Sequence, residues 1–494
     1  MLYKSTRSNQ AAHASAAEVI KQGLAEDGGL FVPESIPTLT HEEILSLCGE
    51  SYPIRAAKIL SKFLSDYTYE ELLKDCQEAY REDSFVGGAA PMVNIHHNLE
   101  SLELWHGPTA AFKDMALQIM PRLLSRALVK TGEKRTALIL VATSGDTGKA
   151  ALEGYKDVDG IKIMVFYPVD GVSRVQKLQM ATQTGSNVNV CAIRGNFDDA
   201  QNGVKAIFGD AEMANKLNEK GYFFSSANSI NWGRLAPQIV YYVSAYCDLI
   251  NAKKCKLGES FNVCVPTGNF GNIFAAYLAK LMGLPIHHLV CASNANNILT
   301  DFLRTGTYDR NRDFYLTMSP SMDILISSNL ERLLYFVAGS EATASYMEQL
   351  KSTGAYTVSP EVLAEIQKNF TGYYTNEEET RATIQKTFEE YGYLADTHTA
   401  VAIHAAETYC RESGDTRPMV IDSTASPYKF ANNVYLSVTG KEAPSELEAL
   451  EALEAATGTK IPYPLAGLAQ REIRFTKTVD REQMANAVLD YLNK

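Results

Sequence analysis

A lysine at the junction of two predicted elements is the strongest chemical signal in the sequence. Lys113 follows an alternating segment that contains Leu102 and Leu104, and it precedes an apolar helical pattern that begins at Met115. In α/β proteins, functional side chains gather where strands lead into helices. A buried lysine there can lose its proton and form a Schiff base with an aldehyde. Since most lysines are solvated, the alternative is a surface lysine at a helix start.

A segment with two glycines is a candidate anion site. Residues 265–272 close a predicted strand and precede a helical pattern over residues 273–282. Gly268 and Gly271 permit a tight turn in which backbone N–H groups converge on an anion, and the helix N-terminus adds its dipole. The segment is neither Gly-x-Gly-x-x-Gly nor a Walker loop. A plain glycine turn explains it equally well.

Three more polar segments are candidate ligand contacts. Residues 142–148 bring hydroxyls and the Asp146 carboxylate to a strand end, although an ordinary helix cap is the simpler explanation. Residues 225–234 end in Arg234, whose fork of N–H groups suits phosphate or carboxylate, while a solvated loop arginine is the alternative. Residues 422–430 include Thr424, which can face a bound ring or end a strand in a turn.

The histidines do not form a predicted metal site. His398 and His404 lie on a helical pattern without a carboxylate at ligand spacing, so structural roles are predicted for both. His106 precedes the lysine closely enough to line its pocket. No histidine and cysteine cluster has the spacing of zinc ligands.

Short apolar runs alternate with helical patterns between about residues 100 and 300. This alternation predicts an α/β fold whose mostly parallel sheet is covered on both faces, with ligands at the carboxyl ends of the strands. A long helix is predicted over residues 235–250. The predicted strands cover residues 136–142, 161–167, 187–193, 261–265 and 288–292.

The two ends of the chain have different patterns. Residues 1–90 are mostly helical in pattern and close with a linker near 86–91, which indicates a separate N-terminal domain. Residues 310–410 are predicted to form mainly helices and loops. A late strand is predicted at 419–424, and Ser445 and Glu448 have the spacing of a capping box at the start of an acidic helix.

Composition limits the classes of partner. The chain has 494 residues, so more than one domain is expected, and its net charge of −12 argues against nucleic acid or anionic membranes as main partners. Its 8 cysteines form no Cys-x-x-Cys pair, which fits a reducing compartment. Neither a signal-peptide pattern nor an apolar run of about 20 residues is seen, so a cytoplasmic location is predicted.

Together these segments resemble the threonine synthases, which are pyridoxal-phosphate enzymes of the tryptophan synthase β-like fold (fold type II). The resemblance covers nearly the whole chain and has the length of the longer bacterial and fungal form, without the extended regulatory N-terminus of the plant enzymes. It implies two open, mostly parallel sheets flanked by helices. The implied units are a mainly helical N-terminal domain over 1–90 and a catalytic region over 91–494 with a small α/β subdomain near 125–235. The segments that carry the resemblance are 3–7, 23–33, 106–114, 195–200 and 319–324.

The resemblance also implies roles for individual residues. Lys113 would bind pyridoxal 5′-phosphate covalently and act in catalysis, Thr424 would face the pyridine nitrogen, and Asp146 stands where related enzymes place an asparagine beside the 3′-oxygen. The remaining implied cofactor contacts are Phe112, Gly268, Asn269, Phe270, Gly271 and Asn272. The implied contacts to the phosphate of the substrate, O-phosphohomoserine, are Ser144, Thr147, Asn228, Ser229 and Arg234.

The implied activity is the conversion of O-phospho-L-homoserine and water to L-threonine and phosphate. Lys113 would remove and return the Cα proton while phosphate leaves Cγ and water adds at Cβ. A phospho-lyase, or an enzyme like the serine/threonine dehydratases or the cysteine synthases, would use the same cofactor and remains an alternative. A non-catalytic phosphate-ligand binder is the alternative from another class. The protein is expected to be a monomer or a homodimer.

Overall fold

The structure is a computed structural model that describes residues 1–170 and 172–493. Its strands are β1 (Tyr3–Ser5), β2 (Phe31–Pro33), β3 (Met92–His96), β4 (Leu99–Glu103), β5 (Thr136–Ala142), β6 (Ile161–Pro168), β7 (Val188–Ile193), β8 (Tyr222–Ser225), β9 (Phe261–Pro266), β10 (Ile286–Ser293), β11 (Thr307–Asp309), β12 (Ala355–Thr357), β13 (Phe370–Tyr374), β14 (Met419–Ser423) and β15 (Thr478–Val479). Its α-helices are α1 (Ala16–Gln22), α2 (His41–Cys48), α3 (Tyr52–Phe63), α4 (Tyr69–Ala79), α5 (Asp114–Leu117), α6 (Met120–Lys130), α7 (Asp146–Tyr155), α8 (Arg174–Ala181), α9 (Phe197–Gly209), α10 (Ala211–Glu219), α11 (Trp232–Asn251), α12 (Gly271–Leu281), α13 (Ile298–Thr305), α14 (Leu330–Thr353), α15 (Pro360–Gln367), α16 (Glu377–Tyr391), α17 (Thr397–Ser413), α18 (Ala431–Thr439), α19 (Glu448–Thr457) and α20 (Met484–Leu492).

The larger sheet has the strand order β13-β10-β9-β14-β4-β3. Its neighbouring strands are parallel except for β3, which pairs with β4 in antiparallel. Every residue of β4, β9 and β14 is buried, because helices cover both faces of a parallel sheet. The predicted strands at 261–265, 288–292 and 419–424 are confirmed as β9, β10 and β14.

Neither edge strand of the larger sheet was predicted. β13 lies within the stretch 310–410, which was expected to be mainly helices and loops, and it pairs in parallel with β10. Gly372 in its centre hides the strand pattern, since glycine is depleted in strands. A Cβ at this position would lie 2.8 Å from Thr300 Cα, so the glycine permits close packing against α13.

The smaller sheet has the order β15-β7-β6-β5-β8, and its neighbours are parallel throughout. The predicted strands at 136–142, 161–167 and 187–193 are confirmed as β5, β6 and β7, and the α/β class with two mostly parallel sheets is confirmed with them. The edge strand β15 comes from the far C-terminal end of the chain. The domain boundaries proposed at residues 90, 125 and 235 stay predictions.

The N-terminal helices begin where their sequences provide caps. Ser15, Thr40 and Thr68 each form a capping box with a glutamate three residues later, at the starts of α1, α2 and α4. This region packs on the rest of the chain through Trp232, whose ring centroid lies 5.4 Å from that of Tyr3. Since Trp232 is the first residue of α11, the N-terminal region supports the helix that follows residues 225–231.

The apolar pattern after Lys113 forms two helices instead of one. The short α5 ends at Leu117, and α6 restarts at Met120 with Pro121 in its first turn. Proline has no N–H to donate to the preceding turn, so it is tolerated at a helix start but not inside a helix. Within the described residues, no helix is long and apolar enough to cross a bilayer, and no group of three or more His, Cys, Asp or Glu side chains is placed to hold a metal ion.

Candidate functional site

Five strand ends from the two sheets bring most of the predicted site residues together. β4, β9 and β14 of the larger sheet lead to Lys113, to residues 267–272 and to Thr424. β5 and β8 of the smaller sheet lead to Asp146 and Arg234. We call residues 267–272 the glycine loop and residues 225–234 the anion loop. Their common position is the edge where α/β folds bind ligands.

Lys113 is the N-cap residue of α5, and it is half-buried. Its Nζ is 3.4 Å from Ser321 Oγ and 5.0 Å from the centroid of the Phe112 ring. Burial lowers the pKa of this amine to about 8; the nearby Asp146 carboxylate opposes the shift, and the charges of Arg234 and Lys429 add to it. A sizeable unprotonated fraction near neutral pH suits a nucleophile or a base.

The backbone places Thr424 beside the lysine. The Phe112 N–H donates to Thr424 O at 2.8 Å, and Ala111 and Ala425 form an antiparallel bridge. This pairing joins the segment after β14 to the segment before α5. Thr424 is also buried. Its backbone is therefore held close to Lys113 by the pairing of the two segments.

The glycine loop turns sharply between β9 and α12. Phe270 has a left-handed backbone with φ 65°, which is uncommon for a residue other than glycine. Within the described chain, the N–H groups of Gly268, Asn269 and Phe270 donate to no protein acceptor. Together with the N-terminus of α12, which begins with Gly271 and Asn272, these donors form a site that suits a phosphate.

A second segment holds the glycine loop from outside. Ser327 Oγ donates to Gly268 O at 2.6 Å, and the Asn329 N–H donates to Asn269 O at 2.9 Å. A Cβ on Gly268 would lie 2.7 Å from Ser321 O, so only glycine permits this approach. These bonds satisfy the carbonyls of Gly268 and Asn269 and hold the loop in place for a ligand at its N–H groups.

Asp146 forms a buried ion pair with a lysine that sequence analysis did not assign to the site. Lys429 Nζ lies 2.7 Å from Asp146 Oδ1, and Gln176 Nε2 donates to the same oxygen at 2.8 Å. Burial opposes the charge of Asp146, but Lys429 and Lys113 outweigh it and hold the pKa below its usual range. The contact between Asp146 and a cofactor oxygen stays a prediction.

The anion loop contains a buried arginine without an acidic partner. Arg234 is 7% exposed and donates through Nη1 to Ala227 O at 2.8 Å. Burial lowers the pKa of its guanidinium to about 10, and no carboxylate in the described residues pairs with it. A buried cation without a counter-ion favours an anionic ligand, because an unpaired charge is costly inside a protein.

The remaining predicted substrate contacts are placed less firmly. Ser229 Oγ accepts from Asn329 Nδ2 at 3.4 Å, which brings the anion loop next to the glycine loop. Thr147 is half-buried in the first turn of α7. Ser144 and Asn228 are exposed, and in the described residues neither side chain bonds to another member of the site. The roles of all four stay predictions.

Sequence analysis gave no site role to three residues that the structure places at Lys113 or behind its neighbour Ser321. Lys429 lies within the predicted segment 422–430, but only a hydroxyl was singled out there. Ser321 belongs to the family-like segment 319–324, to which no role was given. His398 was considered and set aside as structural; its contact to Ser321 joins segments 77 residues apart, so the signal is a tertiary one.

Comparison with known proteins agrees with this geometry. The chain matches family models described as threonine synthase N terminus over residues 2–80, pyridoxal-phosphate dependent enzyme over 102–422, and threonine synthase, C-terminal over 399–488. The human protein threonine synthase-like 1 is 40% identical over 86% of this chain, and the match spans 58% of the human protein's length.

Two relatives match over almost their full lengths. The Pseudomonas aeruginosa threonine synthase is 39% identical over 96% of this chain and 95% of its own. The crystal structure of pyridoxal-phosphate-bound threonine synthase from Brucella melitensis superposes with a TM-score of 0.87 at 37% identity, over 100% of both chains. The fold-type-II resemblance found in the sequence is thereby confirmed. The chain belongs to the threonine synthase family of pyridoxal-phosphate-dependent enzymes.

Proposed function

We propose that this protein is a threonine synthase that converts O-phospho-L-homoserine and water to L-threonine and phosphate. The observation that carries the proposal is the presence of two anion sites at one lysine. The glycine loop offers free N–H groups to one phosphate, and Arg234 offers a buried guanidinium without a carboxylate partner to a second. An enzyme whose substrate lacks a phosphate, such as a serine dehydratase, needs only the first of these sites.

The residues present fit pyridoxal phosphate as the cofactor. The glycine loop and the N-terminus of α12 would bind its phosphate. Lys113 would bind its aldehyde through an amine whose pKa burial lowers to about 8. Thr424 would face the ring nitrogen, where a hydroxyl does not hold a full proton as a carboxylate does. When bound, the cofactor supplies a conjugated ring that takes up the charge that develops at the substrate Cα.

Lys113 then acts as the proton carrier at Cα. Its amine removes the Cα proton early in the reaction and returns it at the end. In between, Cβ loses a proton, the Cγ–O bond breaks, and phosphate leaves with the bonding electron pair. Cγ gains a proton and the oxygen of water adds to Cβ, so the elements of one water are consumed for each phosphate released.

The anion loop stabilises the leaving phosphate. Arg234 would donate to its oxygens through the guanidinium, and the hydroxyls of Thr147 and Ser229 would donate to the others. Because Arg234 is buried, its charge acts in a region of low dielectric, where such stabilisation is strong. The exposed Ser144 and Asn228 are assigned to the rim of this site, where they meet the substrate as it enters.

One incubation tests the activity against its rivals. The protein is mixed with pyridoxal phosphate and O-phosphohomoserine, and phosphate, threonine and ammonia are measured. Equal amounts of phosphate and threonine support the proposal. Phosphate with ammonia instead of threonine supports a phospho-lyase, and substrate binding without any product supports a phosphate-ligand binder. The cytoplasm remains the proposed location, which is supported by eight free cysteines at described positions.

A further inference from the structure

Two histidines of α17 that look alike in the sequence have different surroundings. His398 Nε2 lies 3.1 Å from the backbone nitrogen of Ser321, the residue whose hydroxyl is next to Lys113. His404 lies away from the lysine, with Nδ1 at 3.1 Å from Thr375 Oγ1. Only His398 is therefore placed to act on the site.

The protonation pattern of His398 follows from its partners. A backbone N–H can only donate, so Nε2 of His398 accepts the Ser321 N–H and carries no proton. The ring proton is then on Nδ1, which lies 2.9 Å from Asp396 Oδ1. Both side chains are almost fully buried, at 2% and 0% exposure, so water does not compete for these bonds.

Asp396 is itself held in place. It is the N-cap of α17 and accepts from the backbone N–H groups of His398 and Thr399 at 2.8 Å and 3.2 Å. The Thr399 hydroxyl donates to its second oxygen. The orientation of the His398 ring is therefore set by the start of a long helix.

Ser321 connects this helix start to both parts of the cofactor site. It lies in a short 3₁₀ turn (Pro320–Met322), with its hydroxyl 3.4 Å from Lys113 Nζ. Its carbonyl is packed so closely on the glycine loop that a Cβ on Gly268 would lie 2.7 Å from the oxygen. A shift of this turn would move the hydroxyl away from the lysine.

We propose that Ser321 is a catalytic residue that directs the Lys113 amine by a hydrogen bond, and that His398, fixed by Asp396, is the positioning residue that holds Ser321 there. A free lysine amine on four rotatable bonds has many orientations, and proton transfer requires one of them. The Ser321 hydroxyl restricts that choice whenever the amine is free. This inference rests on the proposed function, and it adds two residues to the proton transfer at Cα.

The variants have different expected effects on turnover. Ser321→Ala removes one hydrogen bond and should lower kcat about fivefold, with KM for the substrate changed less than about twofold. His398→Phe removes the acceptor of the Ser321 N–H and should lower kcat by a similar factor. His398→Gln restores an acceptor of similar reach and should recover most of the loss.

A double-variant comparison tests whether His398 acts through Ser321. If it does, Ser321→Ala with His398→Phe has nearly the same kcat as Ser321→Ala alone, because the second change has no hydroxyl left to displace. His404→Gln is the matched control on the same helix and should leave kcat unchanged. If the phenylalanine variant does not fold, His398→Asn, whose shorter amide cannot reach Ser321, replaces it.

A second readout does not depend on turnover. In the full chain without cofactor, hydrogen–deuterium exchange of residues 319–323 should be faster in His398→Phe than in the unaltered chain, and unchanged in Ser321→Ala and His404→Gln. This contrast holds even if the incubation with O-phosphohomoserine yields no threonine, so the two proposals fail separately. The positioning role would be overturned if His398→Phe lowered kcat by the same factor with and without the Ser321 hydroxyl. It would also be overturned if hydrogen–deuterium exchange were unchanged in His398→Phe.

Discussion

The glycine loop and the anion loop lie at the same edge of the fold, yet they offer different groups to a ligand: the glycine loop offers backbone N–H groups, and the anion loop offers the side chain of Arg234. The carbonyls of Gly268 and Asn269 are both satisfied by the segment that contains Ser327 and Asn329. In the anion loop, Asn228 is exposed, and Arg234 donates to the carbonyl of Ala227 through Nη1 while its remaining N–H groups bond to no acceptor in the described residues.

This difference matches the time each proposed ligand spends in the site. A cofactor that stays through every cycle is best bound by a rigid loop, because rigidity lowers the entropy cost of binding. A substrate phosphate that must enter and leave as product needs charge without full enclosure. We therefore assign lasting binding of the cofactor to the glycine loop of the larger sheet. We assign the exchange of substrate and product to the anion loop of the smaller sheet.

The largest expected effect comes from replacing Lys113, which would act on both the cofactor and the substrate. Lys113→Ala should abolish covalent cofactor binding and lower kcat by at least roughly 10²–10⁴-fold, the range that a general base contributes. The visible absorbance of the bound cofactor should disappear, while circular dichroism shows a folded chain. Lys134→Ala, at an exposed lysine, is the control. Turnover that persists in Lys113→Ala would remove the lysine from the mechanism.

The second effect concerns the ion pair that joins the two regions. Asp146 follows β5 of the smaller sheet, and Lys429 follows β14 of the larger sheet. Lys429→Met leaves a buried carboxylate unpaired, so we expect a loss of about 3–5 kcal/mol in the free energy of unfolding. Urea denaturation measures this loss.

The double variant decides whether pairing is the cause. In Lys429→Met with Asp146→Asn, no charge is left unpaired, and the double variant should be more stable than Lys429→Met alone. Additive losses would show that packing, and not charge, is responsible.

Local patterns made one part of this site predictable. Lys113 and the glycine loop each lie between a buried strand and a helix, Arg234 lies in the first turn of a helix, and hydrophobic periodicity marks these elements in the chain. The same periodicity located β5, β9 and β14. These features depend on neighbours in sequence, which is why the sequence was sufficient for them.

Contacts between distant segments were not predictable. Lys429 Nζ bonds to Thr109 O and Gln179 Oε1, at separations of 320 and 250 residues. The strand β13 was missed because its identity comes from pairing with β10, not from its own composition. No local pattern specifies either set of contacts.

The third effect separates substrate binding from cofactor binding. Arg234→Gln removes a charged donor to the substrate phosphate, and a charge-assisted bond of about 1.5–3 kcal/mol corresponds to a fall in kcat/KM of roughly 10- to 150-fold. Cofactor affinity should be unchanged, since the glycine loop is untouched. Equal losses in kcat/KM and in cofactor affinity would contradict the assignment of the substrate phosphate to the anion loop and of the cofactor phosphate to the glycine loop.

The same variant has a pH signature. The Arg234 charge contributes to the lowered pKa of Lys113, which is about 8. Without that charge the lysine holds its proton more tightly, so the acidic limb of any profile that follows the free amine should move to higher pH. Chemical modification of the amine in the cofactor-free chain, followed against pH, measures the shift without turnover. Arg234→Lys, which keeps the charge, is the matched control and should show a smaller shift.

The smallest expected effect concerns His106, which lies between β4 of the larger sheet and Lys113. His106 Nε2 lies 2.8 Å from Glu103 Oε2, and Nδ1 lies 2.7 Å from Val86 O. Burial alone would lower the pKa of His106, but the bonds to Glu103 and to the Val86 carbonyl raise it above the ordinary value. Two acceptors at one ring are best satisfied by the doubly protonated form.

A raised pKa in the folded state fixes the sign of the pH dependence. The stabilisation by His106 should be complete below about pH 6.5, the ordinary histidine pKa, and should be lost as the pH rises through the raised value. The free energy of unfolding of the unaltered chain should therefore exceed that of His106→Gln by more at pH 6 than at pH 8. The change in this difference between the two pH values should be about 1 kcal/mol or less, because solvent screens a partly exposed pair. His41→Gln, at an exposed histidine, should show no such difference. The opposite result, a difference in the free energy of unfolding that grows toward alkaline pH, would mean that His106 is neutral in the folded protein. Glu103 would then not stabilise the protonated form of His106.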